Sequence, residues 1–303
     1  MEDMISIGTS SHIDLIKSKL DTEFGLLAND GMIIDCEEKP KGGYVFLGYN
    51  IADYGNAGYS EKDTDQIFKH YIADVVSDVI INRWEKNIIS NIIKENYYYF
   101  NDEEKGTIFD YTIKKLDHIE ENPEDSLLYR LSRKSLVLQK LVEYLHSNSQ
   151  IIVEGFIRFR LKEYIHELKS AIEKAVDDFM MEREYKEFIR LLKYFVDIQE
   201  PRVDQVHVLM KPSGFFKLLD GQNNNINNEY LEGFIFDLGD SDINHEDLLI
   251  SALITIAPNR IVLHFKENPK IAHMVDTIRN VFGNRATQCS GCDLCKNTKN
   301  MEQ

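Results

Sequence analysis

The sequence predicts a mixed α/β protein, α+β in arrangement, in which a small sheet region comes from the N- and C-terminal parts and a large helical segment fills the centre. Three observations predict it. Of 16 glycines, only Gly106 and Gly155 fall between residues 59 and 213, and glycine is costly inside helices and useful in turns. The same stretch carries apolar residues at helical spacing. Strand-like runs occur only before and after it. The four segments expected are 1–58 (β-α-β-β), 60–200 (helical), 202–295 (α/β, ending in a cysteine cluster) and a tail, 296–303.

In the first segment, Met4-Ile5-Ser6-Ile7-Gly8 reads as a strand, and Ile13, Leu15, Ile16, Leu20, Phe24 and Leu27 mark a helix. Met32-Ile33-Ile34 and Tyr44-Val45-Phe46-Leu47 read as two more strands, joined by a turn at Pro40 and Gly42-Gly43. Ser60 resembles a helix cap, with Asp63 at the third helical position. A stripe from Ile67 to Ile92 follows. Further helices fit Ile108 to Ile119 and, after Pro123, Leu127 to Leu145. The periodic stretch Val153 to Ile198 is long for one helix, so a break is expected at Met181 to Glu184. Pro201 ends it, because the residue before proline is driven out of the helical region.

In the last segment, Val203 to Met210, Phe215 to Leu219, Leu231 to Leu238, Ile261-Val262-Leu263 and Ala286-Thr287-Gln288 read as strands. Helices fit Ser241 or Asn244 to Ala257 and Asn268 to Phe282, the latter closed by Gly283. This alternation predicts parallel pairing with right-handed crossovers. Neither end has enough strands and covering helices by itself. Both are therefore expected to share one sheet, with the strand near Ile33 beside Ile261–Leu263.

Charge and length exclude several functions. With 35 Lys+Arg against 51 Asp+Glu the net charge is −16, the wrong sign for general nucleic-acid binding or for clinging to anionic lipid. The longest nearly apolar run, Leu248 to Ala257, falls short of the ~20 residues of a membrane span. The acidic start does not resemble a signal peptide, so a cytoplasmic location is expected.

The strongest chemical signal is Cys289-Ser-Gly-Cys292-Asp-Leu-Cys295. C-x2-C spacing wraps backbone N–H groups around a metal-bound thiolate, and Gly291 permits the tight path. The run is the local half of an iron–sulfur pattern whose fourth cysteine and proline are missing. Zinc accepts the same three thiolates plus one further ligand. Cys36, the remaining thiol, and His264 are the candidates for that fourth place. An acidic turn, Asp237-Leu-Gly-Asp240-Ser-Asp242 with His245, suits a divalent ion less well than it suits a solvated loop. No P-loop, G-x-G-x-x-G, H-E-x-x-H or serine nucleophile elbow occurs. An enzyme is therefore not the expected reading.

The stretch Gly155-Phe-Ile-Arg158-Phe-Arg160-Leu-Lys162-Glu-Tyr164, continued by Glu184 through Phe188, Arg190, Tyr194, Asp197 and Glu200-Pro201, resembles the YtxC-like family of sporulation proteins. The closing cysteines resemble the tail of clostridial members. The likeness is strongest over residues 150–295. It implies a cytoplasmic protein of spore-forming Firmicutes with no established enzymatic activity, and it supplies no catalytic residues. The expected function is thus a protein-interaction or scaffolding role, through an unidentified partner or self-association. The alternative is a redox or sensor protein holding iron–sulfur or zinc.

Overall fold

A computed structural model describes residues 4–29, 31–53, 61–118, 125–210, 216–226, 245–265 and 271–295. The chain divides into two compact units, Met1–Met180 and Met181–Gln303. The class is mixed α/β as expected, but the single shared sheet is not formed. Among the described residues each unit has its own four-stranded sheet. Ile33 lies in the first and Ile261–Leu263 in the second. Each sheet completes itself with short strands, Gln150–Ile152 in one and Ala286–Gln288 in the other.

In the first unit, β1 (Ile5–Thr9), α1 (Ile13–Asn29), β2 (Ile33–Lys41) and β3 (Tyr44–Asp53) precede the helices. The β2–β3 hairpin is longer than its apolar run predicts. Pro40 lies inside β2, opposite Val45, which an edge strand tolerates, so only Gly42-Gly43 forms the turn. Gly42 has φ +63°, the left-handed conformation that two-residue hairpins need. At Gly8, paired with Phe46, an added Cβ would collide with the Phe46 ring.

Helices α2 (Glu61–Val79), α3 (Glu85–Asn96), α4 (Asp102–Leu116) and α5 (Ser126–Ser147) follow, with a π-helical turn, Ile80–Trp84, joining α2 to α3. Asn101 caps α4 through a reciprocal capping box with Glu104. The expected caps at Ser60 and Pro123 lie outside the described residues. After α5 come β4 (Gln150–Ile152), α6 (Val153–Arg160) and α7 (Lys162–Ile198). The break expected at Met181–Glu184 is absent. The interruption falls instead at Leu161, which leaves the helical region at ψ 40°, and α7 runs unbroken for 37 residues.

The core of this unit holds one charged group of note. Arg133 on α5 is 5% exposed. Its guanidinium donates to both carboxylate oxygens of Glu85, at 3.0 and 3.2 Å, to the Leu116 carbonyl at 2.7 Å and to Asp117 at 2.7 Å. The Tyr164 hydroxyl donates to Glu85 at 2.8 Å. Burial opposes the Arg133 charge, but Glu85 and Asp117 outweigh it and hold its pKa above the ordinary value.

The second unit comprises the rest of α7, then β5 (Gln205–Met210), β6 (Phe216–Asp220), α8 (His245–Ile256), β7 (Arg260–Leu263), α9 (Ala272–Phe282) and β8 (Ala286–Gln288). The sheet order is β6-β5-β7-β8, with β5, β7 and β8 parallel and β6 antiparallel. In α9, Met274, Val275, Ile278, Val281 and Phe282 are buried, the stripe of a helix packed on one side. Gly283 closes α9 at φ +55°. The strand expected at Leu231–Leu238, the turns at Lys211–Gly214 and Asp237–Asp242, and the tail 296–303 lie outside the described residues.

Removing one partner from the Arg133 group leaves a buried carboxylate without its counter-charge. Arg133→Leu is therefore expected to lower unfolding stability by about 3–5 kcal/mol. The double variant with Glu85→Leu should recover most of that loss in urea titrations of the full chain. A single variant as stable as the parent would show that the group carries no such constraint.

Candidate metal centre

The site is made where two neighbouring parallel strands end. Val206, Val208, Ile261 and Leu263 of β5 and β7 are turned into the core. The period-2 alternation of a strand puts Gln205 and His207 on the other face of the sheet. His264 follows β7 directly, and its backbone N–H donates to the Val208 carbonyl at 2.8 Å, which prolongs the β5–β7 ladder. Cys289 follows β8, and its N–H donates to the Leu263 carbonyl at 3.0 Å, which prolongs the β7–β8 ladder. The sheet thus delivers one imidazole and one thiol to the same end. Gly291 then turns the chain at φ +127°, a region nearly closed to residues with a Cβ. A helical turn over 293–295 returns Cys292 and Cys295 towards the first two groups.

His264 Nδ1 and the three sulfurs all lie within 4.8 Å of one another. His264 Nδ1 is 3.3 Å from the sulfur of Cys295 and 3.3 Å from that of Cys292. The two sulfurs are 3.8 Å apart. Gly291 N–H donates to the Cys289 sulfur at 3.4 Å, the backbone wrapping that C-x2-C spacing predicts. His264 is 6% exposed, and the three cysteines are half-buried.

From buried His264 a polar chain runs to the half-buried His207 and Gln205. His207 Nδ1 lies 2.7 Å from His264 Nε2, and His207 Nε2 lies 2.8 Å from Gln205 Nε2. Burial lowers the pKa of both histidines, helped at His207 by Arg260 and at His264 by His207. Both are thus held in the neutral form that can coordinate or accept. The Cys292 thiol lies below its ordinary value, chiefly because the Cys295 backbone N–H points at it, while burial pushes the Cys295 thiol up.

Of the residues singled out in the sequence, the structure brings together Cys289, Cys292 and Cys295. His264 completes the group. Cys36 belongs to the first unit, exposed on β2 opposite Tyr49, and is not a member. Two contributors were not singled out for this role, His207 and Gln205. The alternation of Gln205 and His207 with Val206 and Val208 marks them as facing one way, but only the β5–β7 register brings them against His264.

Comparison with known proteins covers most of the chain. Residues 70–287 match the model of the YtxC-like family. The chain is also 29% identical over 199 residues to the Bacillus subtilis (strain 168) protein described as "Uncharacterized protein YtxC", across 64% of this chain and 68% of that protein. No solved structure matches. The family match takes in Gln205, His207 and His264 and ends before Cys289.

Gly291→Ala tests the loop. Its methyl group would meet open space, so its cost is conformational, about 1–3 kcal/mol. Zinc affinity of the full chain, measured by competition with a chromophoric chelator, is expected to fall about tenfold or more. Unchanged affinity would show that the cysteines do not need this turn.

Proposed function

The chain belongs to the YtxC-like family, and we propose that it is a metal-binding protein that holds one zinc ion on Cys289, Cys292, Cys295 and His264 Nδ1. The observation that carries this reading is the set of spacings among the four donor atoms. Zn–S bonds of about 2.3 Å and a Zn–N bond of about 2.0 Å at tetrahedral angles give sulfur–sulfur edges of about 3.8 Å and nitrogen–sulfur edges of about 3.5 Å. Three of the six edges, 3.8 Å between the Cys292 and Cys295 sulfurs and 3.3 Å from His264 Nδ1 to each, are close to those values, and the Cys289 sulfur lies within 4.8 Å of all three atoms. In a four-iron cluster each thiolate binds a different iron, so ligand sulfurs are separated by two Fe–S bonds and an iron–iron edge. Four atoms within 4.8 Å leave no room for that core. The ligand set exchanges Cys36 for His264.

Four protein ligands close the coordination shell, which is the pattern of structural zinc, with no open place for a reacting water. The ion ties the segment 289–295 to the ends of β7 and β8. Because three thiols bind as thiolates, zinc uptake releases protons and its free energy stabilises this part of the chain.

A second observation favours a role in protein contacts. Phe188, Leu191, Phe195 and Ile198 on α7 are each more than half exposed and recur at 3-4-3 spacing. Such a seam is the pattern that pairs helices. It supports the scaffolding role in sporulation that the family resemblance implies, through another protein or a second copy.

Two measurements separate these readings. Full-length protein should carry one zinc per chain, exchangeable for cobalt with the intense visible bands of tetrahedral thiolate ligation. Cys292→Ser should lose the metal. Iron with acid-labile sulfide, or zinc retained by Cys292→Ser, would overturn the zinc assignment. Phe188→Glu with Phe195→Glu should abolish partner capture from sporulating cells or self-association in ultracentrifugation, without lowering the unfolding midpoint. Identical behaviour of variant and parent would remove the contact role.

A further inference from the structure

The polar chain from His264 has a direction, and the direction depends on the metal. Two ring nitrogens 2.7 Å apart share one proton, so one is bare and the other carries it. An amide nitrogen only donates. With Gln205 Nε2 facing His207 Nε2 at 2.8 Å, one proton order of the chain is the following. Gln205 donates to His207 Nε2, His207 Nδ1–H donates to His264 Nε2, and His264 Nδ1–H points at the sulfurs of Cys292 and Cys295. This is one of the two proton orders the chain can hold.

A metal bound to His264 Nδ1 requires that nitrogen bare. The His264 proton must then sit on Nε2, where it donates to His207 Nδ1. His207 must carry its own proton on Nε2 and needs an acceptor there, which Gln205 supplies only by presenting its amide oxygen. We propose that metal binding reverses all three links of this chain, switching the tautomers of both histidines and turning the Gln205 amide by half a rotation. His207 and Gln205 are thus positioning residues for the metal ligand, and Gln205, half-buried on β5 beside Arg260, reports occupancy two residues removed from the metal.

The protons balance. His264 gives its Nδ1 proton to solvent and receives on Nε2 the proton from His207 Nδ1. His207 takes one proton from solvent on Nε2. Each imidazole stays neutral throughout, and the net release comes from the thiols alone. The inference rests on the zinc reading of the site, and it requires hydrogen-bond partners that a merely space-filling His207 would not.

The test uses the full-length chain labelled with nitrogen-15, metal-free and with one equivalent of zinc, read by the two-bond ring correlations that distinguish histidine tautomers. His207 is expected to carry its proton on Nδ1 without metal and on Nε2 with zinc, with His264 protonated on Nε2 only when loaded. Gln205→Glu, whose carboxylate only accepts, favours the loaded direction and should tighten zinc binding about tenfold. His207→Phe removes the acceptor and should weaken it about 10- to 100-fold. A parent chain that takes up no zinc defeats the zinc reading and this inference with it. Stoichiometric zinc with His207 still protonated on Nδ1, or with both variants binding as the parent does, defeats the relay and leaves the zinc reading standing.

Discussion

The parallel register of β5, β7 and β8 is the constraint on which the His264–cysteine group depends. Two backbone hydrogen bonds, His264 to Val208 and Cys289 to Leu263, carry the ladders one residue past the strands. They fix where an imidazole and a thiol stand before any side chain interacts. The apolar faces of α8 and α9 hold that register, since Val206, Val208, Ile261 and Leu263 pack with Leu253, Ile256, Met274 and Ile278 in one cluster. A slip of one residue would turn these side chains to the wrong face and carry His264 away from the sulfurs. The short loop 289–295 then needs only one left-handed glycine to close the set.

The two units solve the burial of polar groups differently. In the first, Arg133 is satisfied by Glu85, Asp117 and a carbonyl, with Tyr164 completing Glu85. The guanidinium only donates and the Leu116 carbonyl only accepts, so the group has one arrangement. In the second, neutral rings and an amide form the chain from Gln205 to His264. Each of these can donate or accept, so the same heavy atoms support two proton arrangements. Fixed charges suit a structural tie, whereas amphoteric groups suit a site whose occupancy changes.

Much of this was legible in the sequence, for identifiable reasons. The glycine-poor centre marked the helices, Gly283 marked the end of α9, and C-x2-C-x2-C marked the thiols, because each is a local requirement. The partition into two sheets was not legible. β4 and β8 are three residues each, and their pairing with β1 and β7 is a long-range choice that no local pattern encodes. The break at Leu161 was missed because a single residue leaving the helix does not disturb the apolar period. His264 was legible as a candidate fourth ligand, but Cys36 competed with it on chemistry alone. Register, which places His264 beside the sulfurs, is a tertiary property.

The central claim is that one ion sits in a closed shell of three sulfurs and one imidazole nitrogen. X-ray absorption at the zinc edge of the loaded protein reads that shell directly. The account predicts three sulfur scatterers at about 2.3 Å and one nitrogen at about 2.0 Å, with the outer-shell pattern of a single imidazole. Four sulfurs, or an oxygen in place of the imidazole nitrogen, would contradict it.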